Sequence, residues 1–403
     1  MKPDFRQRNA AIDILRALTM FLMIFVNDLW TIKGEPHWLG HAEWGEDMLG
    51  LADLVFPAFL FAMGMSIPYA IENRFAKGLS GVSTVAHILT RTLALLIMGV
   101  FIVNTESGVS EATGVSLAVY RILMVTAFIL VWNLYPKSDN QTSQRIYTAL
   151  KIAGILLLLY LAVIFRDSEG GVFASRWWGI LGLIGWAYLV CAFIYLFSRN
   201  RLKYLVPAWL TLIIISIFRT EMINGTILLN LPGGNFLDQM LSWLHIGNGA
   251  LPAFTMGGVV LSCISTKHLA TGKQKTIFYT ASVAGLLLSG FITHQFWIIS
   301  KLAATPSWIF YCTGISVGTY GILCWLVEKG KAHWFNIIKP AGTATLTCYL
   351  VPYLCYSFSA IIGLSLPDIL ITGIAGIVKC ILFSLLVIGI TYLLGKMKIK
   401  LKV

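Results

Sequence analysis

Charge is what this chain has least of. Only 12% of its 403 residues are Asp, Glu, Lys or Arg, about half the share of a soluble domain. With 57% hydrophobic residues and a mean hydropathy of +0.78, water is excluded as its main solvent. Acids are scarcer than bases, 18 against 30, which leaves a net charge of +12. The basic residues form no stripe and match no nucleic-acid-binding motif, so that charge does not point to nucleic acid. Cysteine is sparse too. Cys191, Cys263, Cys312, Cys324, Cys348, Cys355 and Cys380 lie in or beside apolar runs with no CxxC pair, which argues against a disulfide framework and for small core residues. No Walker A loop, HExxH or GxSxG occurs, so the phosphate-binding, zinc-protease and serine-hydrolase signatures are all missing. No small-x-small cleavage site follows the basic, apolar start, so the first helix is expected to be retained. No soluble domain, repeat or low-complexity segment is visible.

What fills the chain instead is apolar runs. A membrane-crossing helix needs about 20 apolar residues, and the runs predict twelve spans: 12–31, 49–72, 86–103, 115–134, 148–165, 177–198, 204–219, 244–264, 277–298, 307–327, 341–363 and 369–394. The expected fold is an all-α, polytopic transmembrane helix bundle forming one domain over 1–403. Its parts are motif-bearing helices in 1–134, extra helices in 140–220 and C-terminal helices in 244–403. Lys and Arg set the orientation. With the N-terminus inside, 23 of the 30 fall on inner segments, among them Arg16, Arg74, Arg91, Lys267, Lys339, Lys400 and Lys402. Lys33, Arg166, Arg176, Arg219 and Lys301 fall outside or near the outer ends. Both termini are thus expected in the cytoplasm, and the loop carrying His37, His41, Glu43, Glu46 and Asp47 faces outward. The outer stretch 220–243 reads as a plain connector or as a flap over an outer cavity.

Ionisable residues near hydrocarbon mark a site by default. Asp28 and Asp53 sit at the loop-side ends of the first two spans, with Asn27 beside them. A lone loop histidine is more often a solvated surface group than a catalyst. His41, however, lies between those two ends, and imidazole, with a reference pKa of about 6.5, suits proton transfer near neutral pH. An amide such as Asn27 can donate to a developing oxyanion. Asn104 and Glu106 end the third span on the outer side as substrate-binding candidates, and Arg121 lies just inside the fourth. An Arg121–Glu106 or Arg121–Asp53 ion pair and a ligand role are the competing readings of that arginine. Arg74 and Arg91 lie toward the inner face, where they serve either as interfacial anchors or as contacts for a phosphate-bearing cofactor. Lys379, near the middle of the last span, snorkels or marks a tilted or broken helix. His294 and Lys301 bracket the outer end of the ninth span as substrate-binding candidates. Gly314 and Gly318 form a GxxxG that reads as helix packing.

Several of these stretches look familiar. RNAAIDILRALTMFLMIFVN from Arg8 to Asn27, HAEW from His41 to Trp44, LADLVFPAFLFAMGMSI from Leu51 to Ile67, RTLALLIMGVFIVN from Arg91 to Asn104 and GVSLAVYR from Gly114 to Arg121 resemble the membrane-embedded acetyltransferases typified by heparan-α-glucosaminide N-acetyltransferase. KLAATPSW from Lys301 to Trp308 and PAGTATLTCY from Pro340 to Tyr349 are looser matches. The resemblance covers roughly the first third of the chain. It implies a bundle that takes acetyl-CoA from the cytoplasmic side and acetylates a sugar amine on the other. His41 corresponds to the family's essential histidine, Asn27 to its catalytic asparagine, and Arg91 and Arg121 match family positions. Asp53 is expected to complete the catalytic group, and Arg74, Arg91 and Arg121 to face the coenzyme. The sequence departs from the family in the DLWTIKGEPHW stretch after Asn27, in Ala17 after Arg16, and in two extra spans within 140–220. The expected partners are the coenzyme A donor, a sugar or glycan acceptor and membrane lipid, with no metal or nucleic acid and with a homodimer allowed. A bacterial inner membrane is the expected location. The rival readings are a secondary transporter or flippase for a sugar or lipid-linked substrate, and a non-catalytic partner in envelope polymer assembly.

Overall fold

A computed structural model describes residues 9–228, 236–243, 245–269 and 271–403. Ten of its helices are long and apolar enough to cross a membrane: α1 (Ala10–Asp28), α2 (Leu51–Ala76), α3 (Gly81–Ser107), α5 (Gln141–Ile164), α6 (Ile180–Ser198), α7 (Leu202–Arg219), α8 (Ala250–His268), α9 (Gly272–His294), α10 (Pro306–Glu328) and α12 (Gly373–Lys396). Two shorter apolar helices, α4 (Leu117–Trp132) and α11 (Thr345–Ile361), complete the twelve expected from the sequence. The shortest expected span, 204–219, is an 18-residue helix. The expected span at 341–363 is split, with a short helix Lys339–Thr343 preceding α11. The stretch 220–243 falls partly on 229–235, outside the described residues, and its later part is a helix, Phe236–Trp243. No strand occurs among the described residues, only three isolated bridges.

Helix starts follow from local chemistry. The Asn9 side chain accepts from the backbone N–H groups of Ala11 and Ile12, Ser80 from Ser83, and Thr271 forms a capping box with Gln274. Thr305 caps α10, with Pro306 in the first turn, where a missing N–H costs nothing.

α2 and α8 form the buried centre. Added Cβ atoms at Gly64 and Gly258 would run into the backbones of Thr255 and Phe61, so glycine is what lets these two helices approach. Gly314 and Gly318 face Leu286, Leu287 and Val283 of α9, so the GxxxG is a packing surface. At the perimeter, α5, α9 and α12 expose Leu159, Val163, Leu288, Phe291, Leu382 and Leu386. In water such a surface would be a liability; in hydrocarbon it is the expected lipid face.

Two groups of ionisable side chains at the ends of the bundle are partnered. Asp28 is fully buried and accepts from Lys379 Nζ and Tyr356 Oη, both at 2.8 Å. Lys379, read from the sequence as snorkelling or as marking a tilted or broken span, ties α12 to the end of α1. At the opposite face Tyr195 Oη donates to Glu72 Oε1 at 3.1 Å, with Arg199 3.8 Å from the same oxygen. The seven cysteines are free thiols.

Candidate active site

The 29–50 loop is short on regular structure but heavily tied. Its first part hydrogen-bonds through the Lys33 backbone to Ile371 and Gly373. Its second part braces itself: His37 Nε2 lies 2.7 Å from Glu46 Oε1, and the Glu43 N–H donates to Glu46 Oε2 at 2.8 Å. Glu46 raises the His37 pKa, mainly through that side-chain hydrogen bond. The N–H of Glu43, and then His37, hold the Glu46 carboxyl below its usual value. Asp47 anchors the loop to the segment before α10, accepting from the Ile299 N–H at 2.8 Å and from His294 Nε2 at 2.7 Å.

This bracing sets His41 over the start of α2. Asp53 lies in the first turn of that helix, where the macrodipole favours a carboxylate, and its side chain is 2% exposed. One oxygen accepts from the Ala42 N–H at 2.9 Å; the other lies 2.6 Å from His41 Nδ1. The Trp308 indole N–H donates to the Asp53 carbonyl at 3.0 Å and fixes the helix end. With the carboxylate accepting from both directions, Nδ1 carries the proton and Nε2 keeps its lone pair. His41 is half-exposed, and Nε2 has no hydrogen-bond partner among the described residues. A ring held through one nitrogen with the other free is the arrangement of a general base or a nucleophile.

Lys301 is the third member. Its Nζ lies 3.8 Å from Asp53 Oδ1 and 3.2 Å from His41 Nδ1. That ring nitrogen is already committed to Asp53, so the ammonium acts there as a charge beside the carboxylate. Burial lowers the Lys301 pKa, and the Asp53 carboxylate works against that shift.

The other sequence candidates are not gathered at this point. Asn27 is exposed on the last turn of α1, with no hydrogen bond to the dyad. His294 is occupied by Asp47. Asn104 is buried and clamps Ala174 through its amide N–H and its carbonyl. Arg121 donates to the Thr105 carbonyl at 3.1 Å in place of either expected ion pair. It and Glu106 are electrostatic neighbours of Tyr353 on α11. Arg74 donates to the Ser83 carbonyl and hydroxyl, both at 3.0 Å, bridging the α2–α3 turn. Arg91 fares better: its guanidinium lies 4.5 Å over the Tyr188 ring, and it lines a large cavity.

That cavity, about 640 Å³, is of ligand size. Its mouth on the basic face is lined by Asn9, Asp13, Asn73, Lys400 and Lys402, with Arg16 and Arg91 further in. Its walls turn apolar toward Met20, Met23, Phe59, Leu95 and Leu181. The far end stops short of the dyad: from Phe59 to Asp53 is about 9 Å along α2, and from Met23 to Asn27 about 6 Å along α1, at 1.5 Å per residue. Sequence reasoning counted Arg16, Lys400 and Lys402 only as topology markers. Their one sequence signal is that Arg16 falls inside a span, where a cation needs a reason.

Residues 8–236, more than half of the chain, match the family described as a domain of unknown function, DUF5009. Heparan-alpha-glucosaminide N-acetyltransferase of Mus musculus is 35% identical over 108 residues, 26% of this chain and 16% of that protein. The protein of the same name from Homo sapiens is 36% identical over 98 residues, 24% of this chain and 14% of that protein. The matched stretch thus spans about a sixth of these relatives' length, a local likeness between membrane proteins. The family match is the broader one, and by it this integral membrane helix bundle belongs to DUF5009.

Proposed function

We propose that this protein is a transmembrane acetyltransferase that moves the acetyl group of cytoplasmic acetyl-CoA to an amine of a sugar or glycan on the outer face of a bacterial inner membrane. The observation that carries the reading is the 2.6 Å His41–Asp53 contact with Nε2 left open. A cavity with a cationic mouth on the opposite face and the local likeness to two N-acetyltransferases support it. A cavity that is basic at one end and apolar at the other suits a donor with an anionic head and a long uncharged arm.

In this reading the acceptor nitrogen attacks the thioester carbon while His41 Nε2 takes its proton. Asp53 stabilises the imidazolium that forms. The carbon–sulfur bond breaks as the tetrahedral intermediate collapses, and the thiolate leaves with the proton from His41. Lys301 adds positive charge beside the dyad, and Asn27, on the turn between cavity and loop, orients the acceptor or the thioester carbonyl. The arm must cross the two turns that separate Phe59 from Asp53, so turnover requires α1 and α2 to part near Met23 and Phe59.

General-base catalysis contributes about 10²- to 10⁴-fold. His41→Ala is therefore expected to lower transfer of labelled acetyl from acetyl-CoA to a panel of amino sugars by that factor, in protein that stays folded. A wild-type rate in purified His41→Ala, or sugar accumulation in vesicles without release of coenzyme A, would overturn the assignment, the second in favour of a carrier.

A further inference from the structure

The mouth of the large cavity is closed on one side by a segment with an unusual build. After α12 the chain turns at Lys398, a non-glycine residue at φ 62°, and doubles back as extended backbone along the end of α4. The Lys400 N–H donates to Asn133 Oδ1 at 2.8 Å, and the Leu134 N–H to the Lys400 carbonyl at 2.9 Å. The Leu401 N–H donates to Thr347 Oγ1 at 3.0 Å, and the Lys402 N–H to the Trp132 carbonyl at 3.0 Å. Side chains alternate along an extended strand. Leu401 is accordingly buried at 4% exposure, while Lys400 and Lys402 both line the cavity.

These lysines join cations already there. Arg91 and Lys402, with Arg74, are the electrostatic neighbours of His87. None of the three is in an ion pair among the described residues. The Nε atoms of Arg74 and Arg91 are buried without a hydrogen-bond partner. Arg16, which lines the same space, donates to Thr345 Oγ1 at 3.1 Å, and Asp13 is the carboxylate on the rim. Like charges repel when brought together, and this chain has enough lipid-headgroup surface to place its cations apart. Gathering them at one end of the cavity, on a segment pinned by the four hydrogen bonds above, suits an anion with several phosphate charges. Lysine meets such a group as a point charge and arginine as a fork.

We propose that the 398–403 segment is a phosphate clamp, with Lys400 and Lys402 closing on the phosphate esters of a nucleotide-bearing donor opposite Arg91 and Arg16. Through it the protein distinguishes coenzyme A from its phosphate-free arm. The proposal rests on the donor reading above, so its test separates the two. Binding of coenzyme A, adenosine 3′,5′-bisphosphate and pantetheine is measured calorimetrically on the full chain in zwitterionic nanodiscs. A cation at a charged surface contributes about fivefold to anion affinity. Lys400→Ala with Lys402→Ala should therefore loosen coenzyme A and the bisphosphate by about 25-fold and leave pantetheine unchanged. Lys400→Arg with Lys402→Arg should stay near wild type. Lys402 is exposed and Leu401 is untouched, so the alanine pair keeps its anchor.

Wild-type affinity for coenzyme A in the alanine pair would overturn the clamp and leave the transferase reading standing. Binding of the bisphosphate that depends on the lysines, in a protein with no acetyl transfer, would keep the clamp and sink the transferase. Phosphatidylglycerol in the nanodisc that abolishes bisphosphate binding would assign the cations to a lipid headgroup and overturn the clamp.

Discussion

Asp28 and Asp53 sit at the same end of neighbouring helices, each buried, each with a lysine nearby, yet their surroundings differ. Asp28 has a direct ion pair to Lys379 and a hydroxyl from Tyr356, and Lys379 donates also to Thr31 Oγ1 at 2.6 Å. Every strong partner is itself occupied, so the charges cancel inside the bundle. Asp53 spends its best contact on His41, and Lys301 is held back at 3.8 Å. The partner of Asp28 ends in the protein; the partner of Asp53 has a second nitrogen with no hydrogen-bond partner among the described residues. A buried carboxylate is structural or chemical according to whether what it holds has another end to offer.

The sharpest way to break that contrast is to neutralise each acid in turn. Asp53→Asn leaves the shape but takes away the charge that fixes the His41 tautomer and stabilises the imidazolium. Acetyl transfer should fall by about 10²- to 10⁴-fold, with thermal unfolding in detergent close to wild type. Asp28→Asn should do the reverse. It leaves the ammonium of Lys379 beside hydrocarbon without its counter-charge, a loss of about 3–5 kcal/mol. The unfolding midpoint should drop steeply, while the folded fraction keeps its turnover per molecule. If Asp28→Asn abolished turnover in well-folded protein, the two acids would not differ as argued.

A second test sharpens the structural half. Replacing a buried pair together by apolar residues is often neutral or stabilising, whereas removing one partner is not. Asp28→Leu with Lys379→Met should thus be more stable than either single variant, with a coupling free energy measurable in a double-mutant cycle. Additive losses would show that the pair is not what holds α12 against α1.

Much of this contrast could not be read from the chain alone. The twelve apolar runs and the basic asymmetry carried the helix count, because span length and charge placement answer to bilayer thickness and need no tertiary detail. The nearness of His41 to Asp53 was legible for the same reason: a loop residue and the first turn of the helix it enters are close whatever else packs around them. What stayed hidden depends on contacts distant in sequence. Asp28 looked as suspicious as Asp53 until Lys379, 351 residues away, was seen beside it. The contacts of His294 with Asp47 and of Asn104 with Ala174 were equally out of reach, each joining residues far apart in the chain. Lys400 and Lys402 read as topology markers because nothing local says that the chain turns back at Lys398.

The cavity provides the next smaller effect. Arg91 stands inside the mouth with its guanidinium over Tyr188, far from the dyad. Arg91→Met should therefore raise KM for acetyl-CoA by about 10- to 100-fold, one charge-assisted contact being worth about 1.5–3 kcal/mol, and leave kcat nearly unchanged. A fall in kcat at constant KM would place Arg91 in the chemical step and blur the division between the two faces.

The smallest effect concerns the brace that presents His41. Its two groups titrate in opposite senses: the His37 pKa is raised by its hydrogen bond to Glu46, and that of Glu46 is lowered by the Glu43 N–H and by His37. The histidine's share is complete below its free value of about 6.5 and is lost as pH climbs through the raised one. The carboxylate's share is complete above its free value of about 4.5 and is lost as pH falls through the lowered one. The brace should therefore be tightest from about pH 4.5 to 6.5. Amide exchange of a peptide covering 33–50, corrected for intrinsic rates, should show protection that fades a few-fold above that window. His37→Gln should flatten the alkaline side, because a neutral amide hydrogen-bonds Glu46 equally at every pH. The peptide around Asp28 carries no such pair, so its protection should not follow the same curve. If both peptides lost protection together, the change would belong to the bundle and not to the loop that holds His41.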